Sequence, residues 1–192
     1  LRANATTDDN TAVGRSALAA NVADANTAVG RSALTANTTG TRHTAVGTSA
    51  LATNTEAIRN TAIGYQALTA NTTGAQNTAV GDISMYTNTT GADNTAIGGS
   101  ALGANTTGSN NTAVGRLSLT TNSTGDANTA IGKDCLDSNT TGARNTAIGV
   151  DALQANTTTN DNTAIGYEAL NLNTAANNTA VGKSSLSANT TG

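Results

Sequence analysis

Asn60-Thr61-Ala62-Ile63-Gly64-Tyr65-Gln66-Ala67-Leu68-Thr69-Ala70-Asn71-Thr72-Thr73-Gly74-Ala75-Gln76 is a block of seventeen residues, and the chain is made of copies of it. The consensus N-T-A-[V/I]-G-x-x-[A/S]-L-x-x-N-T-T-G-x-x recurs eleven times. Its first glycine falls at Gly14, Gly30, Gly47, Gly64, Gly81, Gly98, Gly115, Gly132, Gly149, Gly166 and Gly182. The spacing is 17 residues except in the first and last intervals, where it is 16. The shorter copies lose their residue in the NTTG segment, at Asn21-Val22-Ala23-Asp24 and Asn173-Thr174-Ala175-Ala176. Length variation therefore belongs to a turn. Leu1 stands in the leucine column of a preceding copy and Gly192 closes an NTTG turn, so residues 1–192 read as one continuous array, an excerpt of a longer one.

A seventeen-residue unit is too short for the helix pairs of armadillo or tetratricopeptide arrays. Its two β-compatible runs, T-A-[V/I] and [A/S]-L, are punctuated by Gly and NTTG. That pattern predicts an all-β fold, a parallel β-solenoid or β-roll of about 11 coils. Each block forms one turn and stacks on the last at about 4.8 Å.

Composition agrees with a thin, repetitive structure. Thr (39), Ala (37), Asn (26) and Gly (20) dominate the 192 residues, whereas Leu, Ile and Val together number 28, with no Phe, Trp or Pro. So few large apolar side chains would suggest disorder if the charge were high, but the net charge is −3. Nine basic and twelve acidic residues without a basic cluster give no footprint for nucleic acid or an anionic membrane surface. The chain also lacks an apolar run long enough for direct membrane insertion.

Six columns hold almost without exception. Thr, Ala, Val/Ile and Gly fill all eleven copies, the second Asn fills twelve sites from Asn4 to Asn189, and Leu changes only to Met85. Period-2 alternation in T-A-V puts Thr and Val on one side and Ala on the other; in A-L it sets Ala against Leu. On this basis the Val/Ile and Leu columns are expected to fill the interior. The Ala12-type and Ala17-type columns, with Gly, are then expected to form a smooth face packed against sister chains, giving a homotrimer. The alternative is that Ala simply fills a thin interior. The invariant Asn column predicts a stacked amide ladder combined with a turn.

The string Thr61-Ala62-Ile63-Gly64-Tyr65-Gln66-Ala67-Leu68 resembles the head repeat of YadA-like trimeric autotransporter adhesins. It looks especially like the N-T-A-I-G-Y-x-A-L variant of bacterial and phage tail-fibre-like proteins. The resemblance covers essentially the whole chain. It implies a trimeric, left-handed parallel β-roll outside a cell or virion, presented to a host-cell surface or glycan receptor by regions beyond this segment. The adhesin repeat is shorter; the NTTG turn is the addition here.

Chemistry-bearing residues are scarce. A Ser-His-acid arrangement needs a base, and His43 is the one histidine, standing where ten copies have Asn. It reads as a polar ring tolerated in the stack. Asp134, Cys135 and Asp137 are the one local group of metal-ligand types, and Cys135 occupies the small Ala/Ser column, where a packed side chain is expected. Gly98-Gly99-Ser100-Ala101-Leu102-Gly103 does not match a dinucleotide fingerprint. Asn-x-Ser/Thr sequons occur at Asn4, Asn37, Asn71, Asn88, Asn105, Asn110, Asn122, Asn139, Asn156, Asn177 and Asn189, most of them in the ladder column. No catalytic, cofactor-binding or metal residue is assigned, no cofactor is expected, and the chain is read as non-enzymatic.

Three functions compete on these grounds. The leading one is a stiff shaft or head segment of an extracellular homotrimeric adhesive fibre on a bacterial surface or phage tail. The second is a self-polymerising β-solenoid filament. Ice binding comes third, because the paired threonines of NTTG are adjacent and should point to opposite sides.

Overall fold

The middle residue of each T-A-[V/I] run shows how the chain coils. In the computed structural model, which describes residues 8–191, each run forms a three-residue strand. The strands are β1 (Thr11–Val13), β2 (Thr27–Val29), β3 (Thr44–Val46), β4 (Thr61–Ile63), β5 (Thr78–Val80), β6 (Thr95–Ile97), β7 (Thr112–Val114), β8 (Thr129–Ile131), β9 (Thr146–Ile148), β10 (Thr163–Ile165) and β11 (Thr179–Val181). They make one parallel sheet in chain order. Register is strict, as in Thr78↔Thr95, Ala79↔Ala96 and Val80↔Ile97. Ten steps at about 4.8 Å make a rod about 48 Å long.

The predicted parallel solenoid is thus present, with no helix among the described residues. The predicted faces are not. Along the strands from β2 to β11 the alanine is buried, while Thr and Val/Ile turn outward. Val/Ile therefore lies outside and Ala inside, the reverse of the expected assignment. The alternative reading, Ala filling a thin interior, is the arrangement observed.

The reason lies on the opposite wall. From Ala17 and Leu18 to Ala169 and Leu170, the Leu column and the Ala/Ser column before it are both buried, although neighbouring strand residues should point to opposite sides. Neither belongs to a strand. Leu68 has φ 52° and Gln66 has φ 51°, and the same two columns are left-handed in every coil from Ser16 and Leu18 to Ser184 and Leu186. Left-handed backbone on either side of Ala67 breaks the two-residue alternation and brings Ala67 and Leu68 inward together. With Leu and two asparagine columns already inside, only a methyl group fits on the strand wall.

Backbone hydrogen bonds tie each turn to its neighbours on every side. Around the fourth coil, Thr61 N–H donates to Asn77 O (2.8 Å), Leu68 N–H to Ser84 O (2.9 Å) and Thr72 N–H to Thr89 O (3.0 Å). In the other direction, Gly64 N–H donates to Val46 O (2.8 Å) and Gln76 N–H to Ile58 O (3.1 Å). The glycine after each strand is required by geometry. Gly81 has φ +140°, and a Cβ there would lie 2.5 Å from Gly98 O in the next coil.

Candidate functional site

Two features are uniform along the rod: the outward strand wall and the inward asparagine columns.

The strand wall presents Thr in one column and Val or Ile in a parallel column two residues on. On rungs such as Val46, Ile97 and Ile131 the aliphatic side chain is 36%, 42% and 40% exposed. The hydroxyls of the strand threonines from Thr27 to Thr179 have no protein partner. Every rung keeps the same two residue types. The column just beyond the glycine is also at the surface, and it scatters through Arg31, Thr48, Tyr65, Asp82 and Lys133. A face about 48 Å long and about 10 Å wide, on the order of 500 Å², matches the largest apolar patches that monomers usually expose. This face was missed as an apolar surface at the sequence level, although a signal was available. Thr and Val/Ile share a strand face, and an invariant row of hydroxyls fits a narrow aliphatic interior poorly.

The asparagines form two buried ladders. In the predicted one, Asn88 Nδ2 donates to Asn71 Oδ1 (2.8 Å), Asn105 to Asn88 (2.7 Å), Asn122 to Asn105 (2.9 Å) and Asn139 to Asn122 (2.8 Å). From Asn37 to Asn156 each amide points its donor to the preceding coil. Its second hydrogen goes to the glycine carbonyl three residues on, as from Asn88 to Gly91 O (3.0 Å). This closes the NTTG turn. Glycine is favoured there because a Cβ on Gly91 would meet Asn88 Oδ1 at 2.5 Å. The column before each strand forms the second ladder. Asn77 Oδ1 accepts from Asn94 N–H (3.0 Å), and Asn77 Nδ2 donates to Gly91 O (2.8 Å). Buried amides are thereby satisfied on the regular rungs, as a core this polar requires.

His43 stands in that second ladder, buried, and burial lowers its pKa from the ordinary imidazole value. Cys135 is buried in the Ala/Ser column with its Sγ 3.1 Å from Ala147 O, and burial pushes the thiol up to about 12. That thiol is no nucleophile at neutral pH. Asp137 is raised first by burial and then by Asp134 and Asp151. No group of three or more His, Cys, Asp or Glu among the described residues is placed to hold a metal.

The sequon asparagines divide by burial. Asn37, Asn71, Asn88, Asn105, Asn122, Asn139 and Asn156 are fully buried in the ladder, Asn189 is half-buried, and Asn110 and Asn177 are exposed; Asn4 lies outside the described residues. The outer columns mix charge, with Arg42 and Arg59 exposed on adjacent coils. Farther along, Arg144 reaches Asp161 through two hydrogen bonds of 2.7 and 2.8 Å. Among the described residues, no helix is long and apolar enough to cross a membrane.

The fold thus brings together a rod, a uniform outward face and a sealed amide core. No protein-family model, curated protein or solved structure matches the chain.

Proposed function

We propose that this chain is a non-enzymatic structural segment, the shaft or head of an extracellular homotrimeric adhesive fibre on a bacterial surface or phage tail. It would hold a receptor-binding region away from its base. The fold is that of a structural repeat protein: eleven near-identical strands in register, joined by turns that differ in length by one residue. The observation that carries the trimer is the Thr/Val-Ile wall. Eleven rungs of outward β-branched side chains, exposed or half-buried and uniform while the adjoining column scatters, are what burial against sister chains would maintain. Because the strands are parallel and in register, three copies side by side would repeat one contact along the whole rod. The alanine stripe has no part in this assembly, since each chain buries its own.

Sedimentation of the chain at micromolar concentration tests the reading, with a trimer expected. Ile63→Asp, Ile97→Asp and Ile131→Asp combined should give a folded monomer. A wild-type chain that is a stable monomer would overturn the trimer, and open-ended filaments by electron microscopy would favour self-polymerisation.

One observation favours a second reading. Thr and Val/Ile stand at alternate positions on an in-register wall, so the array has steps of about 4.8 Å between coils and about 6.7 Å along the strand. The adjacent threonines of NTTG are therefore not the relevant pair for ice binding. A monomer showing thermal hysteresis would support this reading over the fibre, because a trimer would cover the wall.

A further inference from the structure

The ladder before the strands is built from ten amides and one imidazole. An amide offers a carbonyl oxygen on one side and an NH2 on the other, and neither titrates. His43 copies both functions. Its Nδ1 accepts from Asn60 N–H at 3.1 Å, where Asn60 Oδ1 in the next coil accepts from Asn77 N–H at 2.8 Å. Its Nε2 lies 2.6 Å from Ala57 O, where Asn60 Nδ2 donates to Gly74 O at 2.8 Å. An acceptor at Nδ1 and a carbonyl at Nε2 fix one state: neutral, with the hydrogen on Nε2.

A proton added to this ring lands on Nδ1 and faces the Asn60 N–H, donor against donor. Turning the ring over does not help, because both nitrogens of imidazolium donate. Nor is water at hand, since the residue is 1% exposed. Nothing charged lies against the ring to compensate. Its hydrogen-bonding neighbours are the amide of Asn54 and the backbone of Ala57 and Asn60. The ionisable residues of its own and adjoining turns, Asp24, Arg31, Arg42, Glu56, Arg59 and Tyr65, are all exposed on the outside.

This rung is also less well satisfied than the others when neutral. On a regular rung the Asn that opens the NTTG turn gives one hydrogen to its ladder neighbour and the other to the carbonyl three residues on, as Asn71 does to Asn54 Oδ1 and Gly74 O. Asn54 gives one to Asn37 Oδ1 at 2.8 Å, but the ring occupies Ala57 O. Its other hydrogen points at Nε2, 3.1 Å away, itself a donor.

We propose that His43 is an acid-sensitive breakpoint in the solenoid, at which protonation parts the stack between β3 and β4. The sign follows from burial. The folded ring holds its proton less tightly than the unfolded one, whose pKa is 6.5, so the folded state binds fewer protons. Stability at this rung is complete above 6.5 and declines as pH falls from there to the lowered folded value. Asparagine rungs have no such dependence.

Hydrogen exchange on the intact chain, corrected for intrinsic pH dependence, reads the amides of Asn60 and Asn94 side by side. Between about pH 7 and about pH 5, protection at Asn60 should fall by about tenfold or more relative to Asn94, and His43→Asn should abolish the difference. Equal protection at both pH values overturns the proposal, as does an acid loss that survives in His43→Asn. Nitrogen NMR of the wild-type imidazole gives a check that needs no variant: at neutral pH the hydrogen should be on Nε2, and finding it on Nδ1 overturns the proposal. None of these outcomes depends on the trimer.

Discussion

The two walls of each coil treat the same small residue in opposite ways. On the strand wall, Ala96 is inward because its neighbours Thr95 and Ile97 are outward, and alternation is obeyed. On the turn wall, Ala67 and Leu68 are neighbours and both inward, because Gln66 and Leu68 adopt left-handed backbone. A pattern rule valid on one wall fails on the other, and the failure on the leucine wall decides the strand wall. Leucine and two amide columns occupy the interior, leaving room for a methyl opposite them.

The harshest way to break this arrangement is at the hinge between the walls. Gly81→Ala puts a Cβ 2.5 Å from a carbonyl oxygen of the next coil at φ +140°, and the shift must come from backbone. A loss of roughly 3 kcal/mol or more is expected, read as a large fall in the urea midpoint; a change of less than one third of that would mean that the coils can slide apart locally.

Next come the amides that both walls enclose. Asn105→Ala removes the acceptor for Asn122 Nδ2 and the donor to Asn88 Oδ1 and Gly108 O. Leaving buried partners unpaired costs about 1 to 3 kcal/mol each, and loss of amide protection should centre on the sixth and seventh coils.

The inside-outside assignment is sharpened by a neighbouring pair. Ala96→Leu overpacks the interior and should cost about 1 to 3 kcal/mol. Ile97→Ser, one residue on, should change monomer stability by no more than about 0.5 kcal/mol while weakening self-association. Equal stability losses in a monomeric background would put Ile97 inside and overturn the assignment.

The mildest change is Cys135→Ala, which places the column's commonest residue and should move the unfolding midpoint least. Its pH signature has a definite sign. The thiol is raised from 9.0 to about 12, so the stability it contributes is complete below 9.0 and is lost as pH rises towards 12. In the wild type, thiol labelling at neutral pH should follow unfolding; rapid labelling of the folded chain would contradict the burial.

Much of this was legible in the repeat. The seventeen-residue period excluded helix pairs and set one coil per block, and the invariant Asn71 column foretold an amide ladder because only a stacked position keeps one amide through twelve copies. His43 and Cys135 were readable as packed residues from the columns they share. The identity of the outward apolar column was less accessible. T-A-V alone allows either face inward, and the choice rests on backbone dihedrals at Gln66 and Leu68 that no propensity assigns to those residues.

The sequence alone therefore determined the period, the parallel stacking and the ladder, because each depends on one residue type recurring at one spacing. Only the tertiary structure decided which methyls are sealed and which meet the outside. That outcome depends on how much volume the leucine and asparagine side chains occupy across the coil, a three-dimensional sum that no single column contains.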